Sequence, residues 1–473
     1  MVMCSLKLET EVVVIGAGPG GYVAALRLAD LGKEVTLVEA RKKPGGVCLL
    51  EGCIPSKTLI NAVELARAAK DADKIGLNVG DVSFDIDKLR DWTDSVIGDL
   101  SSGVESLLAS RGIQVVEGHA RFVNERELAL TGGEVAGIAF QQCIIATGSR
   151  IHELPAGYET PIWSSAEALQ LPSVPERLLV VGGGYIGLEM GLVYAGLGSE
   201  VTVVEFFPRL LMGADPDLVR IMVREVEPRL EAVLTESKVM TIDKTDVGFT
   251  VEIEHDGETK SHEFDQVLAA VGRKPNTDDI GLENTKIVVD EHGVIATDEQ
   301  CRTAEAHIYA IGDVTAGPML AHKASREGKV AAEVIAGEPS AFDNRAVPAV
   351  VFTDPEIAWA GLTETEAKEQ KRKVTVGRFP LTALGRARTM GRTDGMVKVI
   401  ADPDTQLVLG VGMVGPHASE LIAEGVLAIE SGAVLEDLMV TIHPHPTLSE
   451  ALMEAAEVAA GVGVHMAPRK KRK

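Results

Sequence analysis

A chain of 473 residues with 46 basic and 70 acidic side chains carries a net charge of -24, which repels nucleic-acid backbones and anionic lipid heads. Neither is expected as a partner. Its 45% hydrophobic and 25% charged composition is that of a folded globular protein with more than one core, and no uncharged apolar run approaches the roughly 18 residues of a membrane span. The start, MVMCSLKLETE, reads as no secretory leader, so a cytoplasmic location is expected.

The first predicted unit is EVVVIGAGPGGYVAALRLADLGKEVTLVEA at 11–40: a buried strand, a glycine turn, a helix of small and apolar residues, and a second strand ending in an acid. Gly16, Gly18 and Gly21 form G-x-G-x-x-G. The first permits a tight turn, the second lets backbone approach a pyrophosphate, and the third lets helix pack on strand. The unit returns without a gap at 177–206, RLLVVGGGYIGLEMGLVYAGLGSEVTVVEF, with Gly182, Gly184 and Gly187 each 166 residues further on. Glu39 and Glu205 both lie 23 residues after the first glycine, where a carboxylate can accept from ribose hydroxyls. One such motif is weak evidence; two complete copies predict two dinucleotide sites. Glu205, followed by Phe206 and Phe207, favours NAD over NADP, although Arg209 stands close.

GGVCLLEGCIPSK, residues 45–57, follows the first unit. Cys48 and Cys53 have no second pair of cysteines at metal-ligand spacing, so no metal is expected. A structural disulfide closing so small a loop gains little, and a redox pair fits better. IPSKTLINAVELARAAK has helical periodicity with Pro55 suited to its first turn, which places Cys53 at a helix N-terminus, where thiolate is favoured. Further on, AIGD ends a short apolar strand, and MLAHKASREGKVAAEVIAG predicts a helix beginning near Ala321. GRKPN at 272–276 and NRAVPAV at 344–350 are loop-like boundaries, and the tail PRKKRK reads as a solvated end.

Taken together and in order, GGVCLLEGCIPSK, ATGS at 146–149, YAIGDV at 309–314, MLAHKA at 319–324, VFTDPEIAWAGLT at 351–363 and HPHPTLSE at 443–450 resemble the flavoprotein disulfide reductases, nearest to their dihydrolipoamide-oxidising members. The resemblance covers nearly the whole chain. It implies an α/β fold of two Rossmann-like domains, for FAD and NAD, plus a C-terminal α+β dimerisation domain. The expected division is 1–149 for FAD, 150–274 for NAD, 275–345 returning to the FAD region, and 346–473 for the dimer interface.

By the same resemblance Cys48 is the interchange thiol and Cys53 the thiol against the flavin. FAD is expected on Gly16, Gly18, Gly21 and Glu39, with Thr147, Gly148, Asp313, Met319 and Ala321 as further contacts. NAD is expected on Gly182, Gly184, Gly187, Glu205 and Gly272. Lys57 and Glu189 are similar to an ion pair near the flavin, and Tyr185 either covers the flavin or packs in the core. His445, oriented by Glu450, is the implied base, needed because only a thiolate attacks a disulfide. The implied partners are a second copy, with His445 reaching into the partner's site, and a lipoyl-bearing acyltransferase or carrier protein. Two residues depart from the family pattern: Pro444 stands between the histidines, and Glu51 adds a carboxylate that could raise the thiol pKa values. The alternatives are a glutathione- or mercury-directed reductase and a non-catalytic flavin-binding subunit. The absence of a phosphate-binding arginine and of any cysteine after Cys301 argues against the first two.

Overall fold

The computed structural model describes residues 6–152 and 161–466; Cys4 and the basic tail at 468–473 lie outside them. The first apolar run forms the strand Leu6–Ile15, followed by the helix Pro19–Asp30 and the strand Val35–Glu39. Val12, Val13 and Val14 are fully buried, as a strand covered on both faces requires. The two strands run parallel from Val12 opposite Val35 to Ile15 opposite Val38. Gln114–Glu117 extends the sheet on one side and Val135–Ile145 on the other, both parallel to their neighbours. Ile308–Ala310 returns from far along the chain to lie parallel against Cys143–Ile145. A meander of His119–Asn124 and Glu127–Thr131 pairs antiparallel with the other half of that long strand.

The second unit repeats the plan with four parallel strands in the order Ala232–Leu234, Glu200–Val204, Arg177–Val181, Gln266–Ala269, and with the helix Tyr185–Leu197 after its glycine turn. The chain enters and leaves it through Ser149–Ile151 and Arg273–Pro275, which pair antiparallel. The last region is a five-stranded antiparallel sheet in the order Ala349–Val351, Glu356–Gly361, Val408–Gly415, Met396–Ala401, Thr375–Pro380. Helices Ala418–Ser431 and Glu450–Ala460 pack on it through Ile422, Ile429, Leu452 and Ala455. This is the expected α/β architecture with an α+β C-terminal part.

Two features bind these parts together. Leu59, Ile60 and Val63 of the helix Cys53–Lys70 share one apolar core with Leu188 and Val193 of the second unit and Ile357 of the C-terminal sheet. Lys398, 1% exposed, places its ammonium 2.7 Å from both Asp215 and Asp217 and 3.1 Å from Glu364. These three carboxylates cluster closely enough to hold a cation, and the lysine supplies it.

Candidate active site

The two glycine turns share their geometry as well as their sequence. Gly16 and Gly182 have φ of +101° and +113°, and a methyl group at either would lie 2.4 Å from a carbonyl oxygen, that of Ala146 or Ala270. At Gly21 and Gly187 it would meet the carbonyl of the first glycine at 1.8 and 2.0 Å. The second glycine differs. At Gly184 nothing lies within 4 Å, and at Gly18 only the Gly46 Cα does, at 3.9 Å. The protein itself therefore requires the first and third glycines, whereas the second leaves room for a ligand to meet the backbone at the head of each helix. Both acids are fixed in the same way. Glu39 accepts from the Ala17 and Arg41 N–H groups at 2.7 and 2.9 Å, and Glu205 from Gly183 and Phe207 at 2.6 and 2.8 Å. Each retains acceptor capacity for a ribose. Arg209, the residue that left NADP open, donates instead to the carbonyls of Leu211, Met212 and Ala214.

The cysteine segment is laid directly on the first turn. Gly45 N–H donates to the Ala17 carbonyl at 2.8 Å, and a side chain at Gly46 would meet Gly18 Cα at 2.6 Å. Cys48 sits on a short helix, Gly46–Glu51, that the sequence reading did not separate, and Cys53 begins the helix Cys53–Lys70. Both are free thiols, joined by a hydrogen bond. Its donor, Cys48, is pushed well up by that bond and by burial. Cys53 is held down to about 7, first by the Cys48 hydrogen bond and then by the Lys57 ammonium, with burial opposing. Glu51, expected to disturb the pair, instead joins Arg41 at 2.8 Å, so its charge is matched locally.

Around the thiols opens a cavity of about 950 Å³ lined by Gly16, Gly18, Glu39, Cys48, Cys53 and Lys57, by Thr147, Gly148, Asp313, Met319 and Ala321, and by Tyr185 and Glu189. Lys57 Nζ lies 2.8 Å from Glu189. Ser149 donates to Asp313 at 2.5 Å while accepting from Arg273 at 2.7 Å, and Thr147 and Asn276 exchange hydrogen bonds at 2.8 and 3.0 Å. The turn carrying Asp313 is also held from below: Glu327 accepts from Gly312 N–H at 2.6 Å, and Lys323 pairs with Glu327 at 2.8 Å and donates to Thr315. Sequence reasoning missed this buried Lys323–Glu327 pair, although the two residues stand one helical turn apart. The mixed polar and apolar cavity, with the open second glycine of the first turn in its wall, suits a dinucleotide.

Other expected site residues lie elsewhere. Gly182, Gly184, Gly187, Glu205 and Gly272 do not line the cavity; the first four build the second turn, and Gly272 accepts from His152 N–H at 2.9 Å. His445 and Glu450 also lie outside the lining. The His445 ring is 76% exposed, with Nδ1 2.8 Å from Glu450, whose other oxygen accepts from Thr447 N–H at 2.7 Å. His443, by contrast, is 4% exposed, bonded to Glu424 at 2.7 Å and to the Thr441 carbonyl at 2.9 Å.

Residues 10–328 match the family described as pyridine nucleotide-disulphide oxidoreductase, and residues 347–456 match its dimerisation domain. Dihydrolipoyl dehydrogenase of Haloferax volcanii is 48% identical over 98% of this chain and 99% of its own. The enzymes of the same name from Geobacillus stearothermophilus and Bacillus subtilis are 45% and 44% identical, each over 98% of this chain and 99% or more of their own. Among solved structures, LpdA from Mycobacterium tuberculosis superimposes with a TM-score of 0.88 at 27% identity, covering 95% of this chain and 99% of that one. The HOCl-induced flavoprotein disulfide reductase RclA from Escherichia coli gives 0.84 at 28% identity, with the same coverage.

Proposed function

The chain belongs to the pyridine nucleotide-disulphide oxidoreductase family, and we propose on that footing that it is an NAD-dependent dihydrolipoyl dehydrogenase acting through Cys48 and Cys53. The observation that carries this reading is a single cavity that unites the two thiols, the first glycine turn and the Lys57–Glu189 pair, with Tyr185 of the second turn at its wall. FAD fits the first turn and NAD the second. FAD, when bound, passes an electron pair between sulfur and nicotinamide.

The residues of the chain do the rest. In the oxidised protein Cys48 and Cys53 form a disulfide, and His445, oriented by Glu450, takes the proton of one dihydrolipoamide thiol. The resulting thiolate attacks Cys48, breaking the Cys48–Cys53 bond, and Cys53 departs as a thiolate stabilised by the Lys57 ammonium. The second substrate thiol then attacks the substrate sulfur of the mixed disulfide, its proton passes to Cys48, which leaves as a thiol, and lipoamide is released with its ring closed. Two electrons now reside on the cysteine pair. Re-forming the disulfide sends them to NAD+, which gains one proton as NADH, and one proton is released. His445 does not line the cavity of its own chain, and together with the match to a dimerisation domain this supports a homodimer in which it serves the cavity of the second copy. The reducing substrate is a lipoyl group on an acyltransferase or carrier protein.

The test is reduction of NAD+ by dihydrolipoamide with the purified FAD-loaded protein. Cys53→Ser should abolish turnover while FAD stays bound, and retained turnover would remove Cys53 from the mechanism. A glutathione- or mercury-directed enzyme, or a non-catalytic subunit, would show no such reaction even in the wild type.

A further inference from the structure

Lys57 reaches Glu189 from the helix that begins at Cys53, and the two are held from a third direction. The ring of Phe352, in the C-terminal region, lies under Lys57 with Nζ 4.5 Å from its centroid. The backbone N–H of the same residue donates to Glu189 Oε1 at 3.0 Å, while Lys57 occupies Oε2. One residue thus grips both partners of the pair. Two positions on, Asp354 receives Arg67, Arg229 and Arg392, and Arg67 lies in the last turn of the Cys53 helix. The segment is therefore clamped to both ends of that helix. Lysine has four rotatable bonds and, among the described residues, one hydrogen bond here, so an ion pair alone fixes its ammonium loosely. An aromatic face beneath a partly desolvated ammonium removes that freedom.

We propose that Phe352 is a positioning residue for the redox thiols: its N–H and its ring together hold the Glu189–Lys57 pair in place beside Cys53. The C-terminal region then governs the reactivity of a thiol that belongs to the first domain. Cys53 and Lys57 stand four residues apart on one helical face, so the position of the ammonium is felt directly at the sulfur. The groups facing Cys53 are the Cys48 thiol, Lys57 on its own helix, and Glu189 and Tyr185 on the helix Tyr185–Leu197. Lys57 favours the thiolate and Glu189 opposes it, so the outcome depends on which stands nearer. Phe352, in contact with both, fixes their positions relative to each other.

The proposal rests on the redox role given to Cys53, but its test needs no turnover. In FAD-loaded full-length protein carrying Cys48→Ser, Cys53 has no disulfide partner and its thiolate can be titrated by ultraviolet absorbance. Adding Phe352→Leu or Phe352→Met, which keep the backbone N–H and an apolar side chain, should raise the midpoint by about 0.5 to 1 unit. Phe352→Tyr, which keeps the aromatic face, should titrate with the parent. A midpoint unmoved by Leu and Met, or moved equally by Tyr, overturns the proposal. Two apolar replacements are used so that poor folding of one leaves the other to decide. Failure of the functional reading would show separately, as absence of dihydrolipoamide oxidation by the wild type.

Discussion

At His445, Nδ1 is committed to Glu450, and Nε2 makes no hydrogen bond among the described residues, so it can accept a proton. Burial pushes the Glu450 carboxyl up, but the Thr447 N–H and the His445 ring outweigh it and hold it below the usual range. An ionised Glu450 in turn holds the imidazole in one orientation through Nδ1. His445→Gln should lower kcat/KM for dihydrolipoamide roughly 100- to 10000-fold; a loss of only a few-fold would assign the base elsewhere. Coenzyme choice is a residue-scale matter too. Glu205 meets a ribose 2′-hydroxyl favourably and a 2′-phosphate unfavourably, and Arg209 is spent on three carbonyls. NAD should therefore give a far higher kcat/KM than NADP, and equal values measured side by side would contradict the role of Glu205. The residues that announced themselves in sequence are those whose meaning is local: glycines at fixed spacing, an acid 23 residues on, two cysteines beside a proline. Phe352 and the Lys323–Glu327 pair gave no such signal, because their roles depend on contacts with segments distant in the chain.

The strand–turn–helix–strand unit is the element on which the site is built, and its two copies agree down to the hydrogen bonds of their terminal acids. Such units are legible because a buried parallel strand is apolar throughout, and its turn to a helix admits only glycine at defined points. The division between the copies is harder to read. The short strands Ser149–Ile151 and Arg273–Pro275 pair across the whole inserted unit, a contact with no periodicity to reveal it. The geometry of the turns predicts a contrast between neighbouring glycines. Gly184→Ala, with backbone φ of -75° and open space at Cβ, should melt like wild type yet raise the KM for NAD. Gly182→Ala, at φ of +113° against the Ala270 carbonyl, should cost about 1 to 3 kcal/mol of stability. Thermal melts and steady-state kinetics on the two variants check both statements, and equal destabilisation would refute the assignment of the second glycine to the ligand.

Across the whole molecule, the three parts are locked at buried ionic junctions. Asp215 and Asp217 would be raised by burial, but hydrogen bonds from Lys398, with others, reverse this and hold both below the ordinary aspartate range. With the folded value depressed, their stabilisation is complete above the unfolded value of about 3.9 and fades as pH falls through the folded value. Lys398→Met leaves the carboxylates short of a cation and should cost about 3 to 5 kcal/mol at neutral pH, with acid unfolding beginning at higher pH. Urea unfolding across pH measures both. In a dihydrolipoyl dehydrogenase of this design the nicotinamide and the cysteine pair must exchange two electrons within one assembled protein. One equivalent of NADH added without oxygen to the oxidised, FAD-loaded protein should therefore yield two new thiols, located at Cys48 and Cys53 by alkylation and peptide mass. NADH consumed with no new thiol at either cysteine would contradict it.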